Sequence, residues 1–200
     1  MKKQKDILLI GNGPSVLDYE YGGLIDSLNI PVVRFNSFVL GDYKKFVGSK
    51  TDKWIINSSR VTIDNISKYG KIYKPQEVIY QTTKRNAKKE KHFTVLENTF
   101  LGTKTKISEI PRQWLDKNVW QVHRVSPSLG IIGCMWFSGL GYRVIAHGFD
   151  VINGNDCPAK HYYENKCAIR GHNLRREKEL LINMINNGHV VLSLQSNYFS

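Results

Sequence analysis

The sequence predicts an α/β protein, one domain over residues 1–200, with a mostly parallel sheet and helices on both faces. Three observations predict it. Short apolar runs recur at 7–10, 30–35, 53–57, 77–80, 142–146 and 190–194, as strands covered on both sides require. Helical periodicity falls between several of them, so strands alternate with helices. The runs at 7–10 and 30–35 end at Gly11 and Asn36 and that at 142–146 at His147-Gly148, and open α/β sheets take ligands outside the carboxyl ends of their strands.

Taken in order, Ile7-Leu8-Leu9-Ile10 is a strand that breaks at Gly11-Asn12-Gly13-Pro14-Ser15. Glycine lets the chain turn and lets a ligand approach the main chain. Pro14 and Ser15 suit a turn or helix start, whose free N–H groups face an anion. A short helix is expected over 19–28, and the strand 30–35 ends on Asn36. Asn12, Ser15 and Asn36 should therefore meet at one sheet edge, beside a phosphate-bearing ligand. The plain alternative is a tight turn with no ligand. Val16 stands where the dinucleotide fingerprint needs a third glycine, and the Gly-Lys-Ser/Thr ending of a Walker A loop is missing.

A loop or short turn spans 43–49, a strand 53–57, a short helix 63–69 and another strand 77–80. Residues 82–91 carry Lys84, Arg85, Lys88, Lys89 and Lys91. They read as a solvated face or mobile loop, because no nucleic-acid-binding signature accompanies them. Residues 93–122 are broken by Pro111, with Trp114 and Trp120 flanking a turn, and are expected to shape an acceptor pocket. Residues 129–140 are nearly all apolar, with small residues at Gly130, Gly133 and Ser138, and are stopped by Gly139 and Gly141. That is a buried helix capped near Ser128, and its start is a second anion site; a plain packed βαβ unit is the alternative.

The strand 142–146 then leads to His147-Gly148-Phe149-Asp150. Residues 151–171 lack periodicity, hold His161-Tyr162-Tyr163, and lead to His172. A helix over 173–187 puts Leu174, Leu180, Leu181, Met184 and Ile185 on one side, and Gly188 stops it.

The chain is 41% hydrophobic and 23% charged, ordinary for a soluble protein. Its net charge of +12 and pI of about 9.6 are not ordinary. They point to an anionic partner, such as a nucleotide, nucleic acid, an acidic glycan or an anionic membrane surface, or to solubility alone. No stretch has the apolar length of a membrane span, and residues 1–6 lack the features of a signal peptide. Cys134, Cys157 and Cys167 form no C-x-x-C pair, so neither a disulfide framework nor a zinc site is indicated, and a reducing cytoplasm fits. No D-x-D sequence occurs, so no divalent metal is expected. A metal-free transfer needs cationic, hydroxyl and N–H donors at a leaving phosphate and a base of near-neutral pKa. His161, His172, Tyr162 and Tyr163 are the right residue types, although spacing alone fits one structural and one surface histidine.

Four stretches in this order resemble the sialylmotifs of glycosyltransferase family 29, the sialyltransferases. Residues 7–52 resemble the large motif, and 126–150 the small motif, with Pro127-Ser128-x-Gly130 and the closing Gly148-Phe149. His161-Tyr162-Tyr163 is similar to the third motif, and His172 to Glu177 fits the H-x-x-x-x-E of the very small motif. The opening Gly11–Ser15 also resembles the bacterial family 42 sialyltransferases.

The resemblance implies a Rossmann-like fold of the GT-A-variant sialyltransferase type. It also implies a CMP-activated sugar donor and a glycan acceptor, with no nucleic-acid partner. By carry-over, His172 is the general base and His161 assists the departing phosphate. Asn12, Gly13, Ser15, Asn36, Ser128, Gly130, Gly148, Tyr162 and Glu177 make up the donor site. The family's disulfide partner for Cys134 is expected where Leu8 or Leu9 stands, and the stem and anchor of eukaryotic members are not matched. Both departures fit a cytoplasmic enzyme, with peripheral inner-membrane contact through Lys84–Lys91. CMP-Kdo is a chemically close alternative to CMP-sialic acid as the donor, and a non-catalytic CMP-binding module is the other alternative.

Overall fold

The computed structural model describes residues 4–81, 89–121, 127–152, 161–164 and 173–193. Seven strands form one parallel sheet: β1 (Lys5–Ile10), β2 (Val32–Phe35), β3 (Lys53–Asn57), β4 (Glu77–Gln81), β5 (Lys106–Ile110), β6 (Tyr142–His147) and β7 (Val190–Leu192). Their order is β5-β4-β3-β2-β1-β6-β7. The chain winds one way from β1 to β5, then crosses back to place β6 on the other side of β1. Ile10 therefore pairs with Arg34 on one flank and His147 on the other. This reversal makes the carboxyl ends of β1 and β6 the switch-point crevice where such sheets bind ligands.

Strand alternation sends successive side chains to opposite faces, and each face has its own core. On one, Ile7, Leu9, Phe35, Ile55 and Val144 pack under α6 (Leu129–Gly139) and α7 (Leu174–Asn186). The short α5 (Arg112–Leu115), continued by a π turn at Asp116–Trp120, adds Leu115 and Val119. On the other, Leu8, Ile10, Trp54, Ile56 and Val78 are covered by α1 (Gly22–Ser27), α2 (Lys44–Val47), α3 (Arg60–Tyr73) and α4 (Lys89–Phe100). Gly133 of α6 lies so close to the sheet that a Cβ there would stand 2.6 Å from Phe35 Cε1.

Arg34 is the charged residue inside this second core, 1% exposed. Its Nη2 donates to the Val47 and Gly48 carbonyls at 2.7 and 3.1 Å, and its Nε to Lys50 O and Thr51 Oγ1 at 3.1 Å. The guanidinium thus ties the turn after α2 to the sheet. Burial lowers its pKa to about 10, so it stays charged at neutral pH.

The fold departs from the sequence expectations in places. The second strand starts at Val32, whose N–H donates to Asp52 Oδ2 at 2.8 Å. The helix expected over 19–28 shortens to Gly22–Ser27, because Tyr19 and Tyr21 stack outside it and Gly22-Gly23 open it. The helix expected over 63–69 instead runs over Arg60–Tyr73, between a Ser59 cap accepting from the Thr62 N–H and Lys74 in a left-handed conformation. The short turn expected within 43–49 contains α2. Helix α4 and strand β5 were not expected. The first begins inside the basic run, whose residues 82–88 lie outside the described residues. The second joins the sheet beside Glu77, which accepts from Ser108 Oγ at 2.7 Å and pairs with Lys53. The last strand is described as far as Leu192.

Cys134 is buried and unpaired, and burial pushes its thiol well above the usual range; Cys157 and Cys167 lie outside the described residues. Among the described residues, no helix is long and apolar enough to cross a membrane.

Candidate active site

The site is built where the loop after β1 meets the loop after β6. The Gly11 N–H donates to the His147 carbonyl at 2.7 Å and the Gly13 N–H to the Gly148 carbonyl at 3.1 Å. The two loops touch main chain to main chain. A Cβ on Gly11 would lie 2.3 Å from Gly148 O, and one on Gly148, where φ is +72°, would lie 2.2 Å from Val16 Cγ1. These glycines serve the loop–loop contact itself.

Ser15 is the second residue of a one-turn helix, Pro14–Leu17. Its N–H donates to Asp150 Oδ2 at 3.0 Å, and its hydroxyl donates to the other carboxylate oxygen. A side-chain carboxylate therefore already holds the position where the sequence suggested a ligand anion. Asp150 is 2% exposed.

Asn12 reaches sideways rather than upward. Its Nδ2 donates to the carbonyls of Phe35 and Ser37 at 3.3 and 3.2 Å, on either side of Asn36. Its own carbonyl accepts from the Tyr162 N–H at 2.8 Å. Asn36 ends β2 in a left-handed conformation, φ +45°, a region that asparagine tolerates better than most residues.

His161-Tyr162-Tyr163 is stapled over this edge. The Tyr162 hydroxyl donates to Val39 O at 2.5 Å and accepts from the Val39 N–H at 3.1 Å; Tyr163 donates to Ser37 O. Burial raises both phenols, Tyr162 to about 12, so both are neutral donors at physiological pH. His161 stacks on Tyr163, ring centroids 5.2 Å apart, and its Nδ1 lies 3.0 Å from Glu164 Oε2.

Across the crevice, Ser128 caps α6 with no side-chain bond into the helix. Its N–H donates to Glu177 Oε1 at 2.8 Å, and Glu177, 3% exposed, belongs to the first turn of α7. The next N–H groups, beginning at Leu129, stand in the first turn of α6, where a helix offers them no partner of its own. Gly130 lies against Phe149, a built Cβ being 2.9 Å from its ring, and Phe149 packs edge-on to Phe35.

The structure thus gathers Asn12, Gly13, Ser15, Asn36, Gly148 and Tyr162 around the β1 and β2 ends, and ties Ser128 to Glu177 at the head of α6. His172 lies outside the described residues. Sequence reasoning missed Asp150, Trp54 and Asn57, which bond to Ser15 or Asn36. Only Asp150, directly after the Gly148-Phe149 pair, left a signal that could have been read.

A doubly wound parallel sheet with its switch point between β1 and β6 defines an α/β protein of Rossmann-like architecture. The family model for glycosyltransferase family 29 (sialyltransferase) matches residues 3–189, and the chain belongs to that family. It is a glycosyltransferase enzyme, sialyltransferase-like, with a sugar donor and a glycan acceptor. Its fold is similar to that of a mammalian sialyltransferase crystallised in complex with Gal-beta-1-3GalNAc-ortho-nitrophenol. The TM-score is 0.62 at 16% identity, covering 94% of this chain and 69% of that one. A second mammalian sialyltransferase structure gives 0.62 at 15% identity, covering 94% and 68%. No curated protein sequence matches the chain.

Proposed function

We propose that the protein moves a 2-keto acid sugar, sialic acid, from a CMP-activated donor to a glycan hydroxyl, with inversion and without a divalent metal. The observation that carries this reading is the family match over residues 3–189. The closeness of the loop after β6 to the head of α6, where Phe149 packs on Gly130, supports it.

CMP lies along the edge formed by Gly13, Asn36 and Ser128. As the bond from the anomeric carbon to the phosphate breaks, negative charge grows on the leaving CMP and oxocarbenium character on the sugar. The N–H groups that head α6, the Ser128 hydroxyl and His161 face that charge. Loss of one such donor costs about 3 kcal/mol of barrier. His172, placed by its motif spacing to Glu177, takes the acceptor proton. Glu177 holds the Ser128 N–H and so fixes the helix that faces the phosphate. Metal independence rests on the lack of a D-x-D sequence and on these donors being the right chemistry to replace a cation.

Cysteine usage fits a cytoplasmic setting, and the lysines of 84–91 suit an anionic membrane that carries the acceptor.

Donor hydrolysis and transfer with CMP-sialic acid and with CMP-Kdo, each with and without EDTA, test the reading. Turnover of CMP-sialic acid that survives EDTA is expected. Turnover of CMP-Kdo alone would replace the sugar and keep the chemistry. Binding of CMP with no turnover of either donor would leave a non-catalytic module, and loss of turnover in EDTA would overturn metal independence.

A further inference from the structure

Asn36 is held more completely than its place at a strand end requires. Its N–H donates to Ile55 O at 2.9 Å, and its side-chain Oδ1 accepts from the Asn57 N–H at 3.1 Å. Asn12 Nδ2 bonds the carbonyls just before and just after it. Its own carbonyl accepts from the indole Nε1 of Trp54 at 2.7 Å. Among the described residues, that leaves Asn36 Nδ2 as its one polar atom with no partner.

Trp54 lies in the middle of the sheet, 0% exposed, with Phe38 edge-on at 4.9 Å and Tyr73 at 5.9 Å. Its ring is core, but a buried indole N–H must find an acceptor, and the one it takes is the carbonyl of a left-handed residue. A left-handed asparagine persists when its surroundings over-determine it. Here five hydrogen bonds do so, three with β3 and two from Asn12 in the loop after β1, and together they fix the direction of a single amide.

We propose that Trp54 is a positioning residue. Its indole N–H holds the Asn36 carbonyl, and through it the left-handed turn that aims Asn36 Nδ2 at the CMP moiety as a hydrogen-bond donor. Trp54 does not itself touch the ligand. The proposal rests on the CMP-donor reading above.

The test is CMP affinity by titration calorimetry for the wild type, Trp54→Phe, Asn36→Ala and the double variant, each with its unfolding midpoint. Asn36→Ala should weaken CMP about tenfold, the weight of one hydrogen bond. Trp54→Phe, which keeps an aromatic core and removes the N–H, should weaken it by a comparable factor. The double variant should bind no worse than Asn36→Ala alone, because Trp54 acts through Asn36. A purely structural tryptophan would instead weaken CMP equally in both backgrounds or not at all, and either result overturns the proposal. Asn36→Asp leaves the core and the oxygen that accepts from Asn57 in place, and serves where Trp54→Phe fails to fold. Loss of CMP binding supports Nδ2 as the donor, and undiminished binding overturns the proposal. A wild type that binds no CMP sinks the donor reading itself, which separates that failure from the failure of Trp54 alone.

Discussion

The Glu177 carboxylate accepts a 2.8 Å hydrogen bond from the Ser128 N–H, joining the first turn of α7 to the cap of α6 across 49 residues. Glu177→Ala leaves a half-buried N–H without its acceptor, which costs about 1 kcal/mol. Glu177→Gln keeps an amide oxygen in place and should recover most of that loss. Urea unfolding of the three proteins checks the order wild type, Gln variant, Ala variant.

Gly148 cannot carry a side chain. Its φ is +72° and a Cβ would lie 2.2 Å from Val16 Cγ1. Gly148→Ala should lose about 1–3 kcal/mol to backbone strain and a similar amount to overpacking, with CMP binding falling alongside. Gly23→Ala is the control. A Cβ there meets nothing within 4 Å, so a change within about 1 kcal/mol is expected. Equal losses from the two substitutions would contradict the loop–loop contact.

The helix starts and glycine turns were legible because they interrupt apolar runs: Gly11 ends β1, and Ser128 precedes α6. Strand β5 was not, because Lys106, Ser108 and Glu109 make an edge strand that is only half covered. Its alternation is polar, and its place comes from pairing with β4 and from Glu77. The bonds that shape the site were equally silent. Ser15 to Asp150 spans 135 residues and Asn36 to Trp54 spans 18. A tryptophan in a strand reads as core, which Trp54 also is. Only the sheet order brings those pairs together.

His147 sits 2% exposed at the end of β6, with Nδ1 2.9 Å from Ser193 Oγ. Burial, with the charge of Arg34, lowers its pKa to about 4 from 6.5. The folded protein therefore holds it neutral, while the unfolded chain protonates it below 6.5. Its contribution is fully present above that value and is lost as pH falls toward 4, by up to about 3 kcal/mol. Wild type should lose stability between pH 6.5 and 5, and His147→Asn should lose less over the same interval. Glu77, whose pKa is lowered by Lys53 and Ser108 against the cost of burial, adds acid sensitivity only at lower pH. Parallel slopes for the two proteins would contradict a neutral buried His147.

Cys134 is fully buried with its thiol pushed up, and only the thiolate reacts. Brief alkylation of the native protein followed by peptide mapping should leave Cys134 unmodified, and alkylation in denaturant should modify it. Fast native labelling at Cys134 would show that α6 does not pack as described.

The central claim is transfer from a CMP-activated donor at this crevice. It is tested most directly by incubating wild type and His172→Ala with CMP-sialic acid and a panel of glycan acceptors, following CMP release and product together. The account predicts coupled CMP and sialylated product from the wild type. The variant should form no product while its affinity for CMP stays within about threefold, because the base acts on the acceptor proton. Undiminished transfer by His172→Ala would remove that residue from the reaction, and a wild type that neither binds CMP nor forms product would contradict the account.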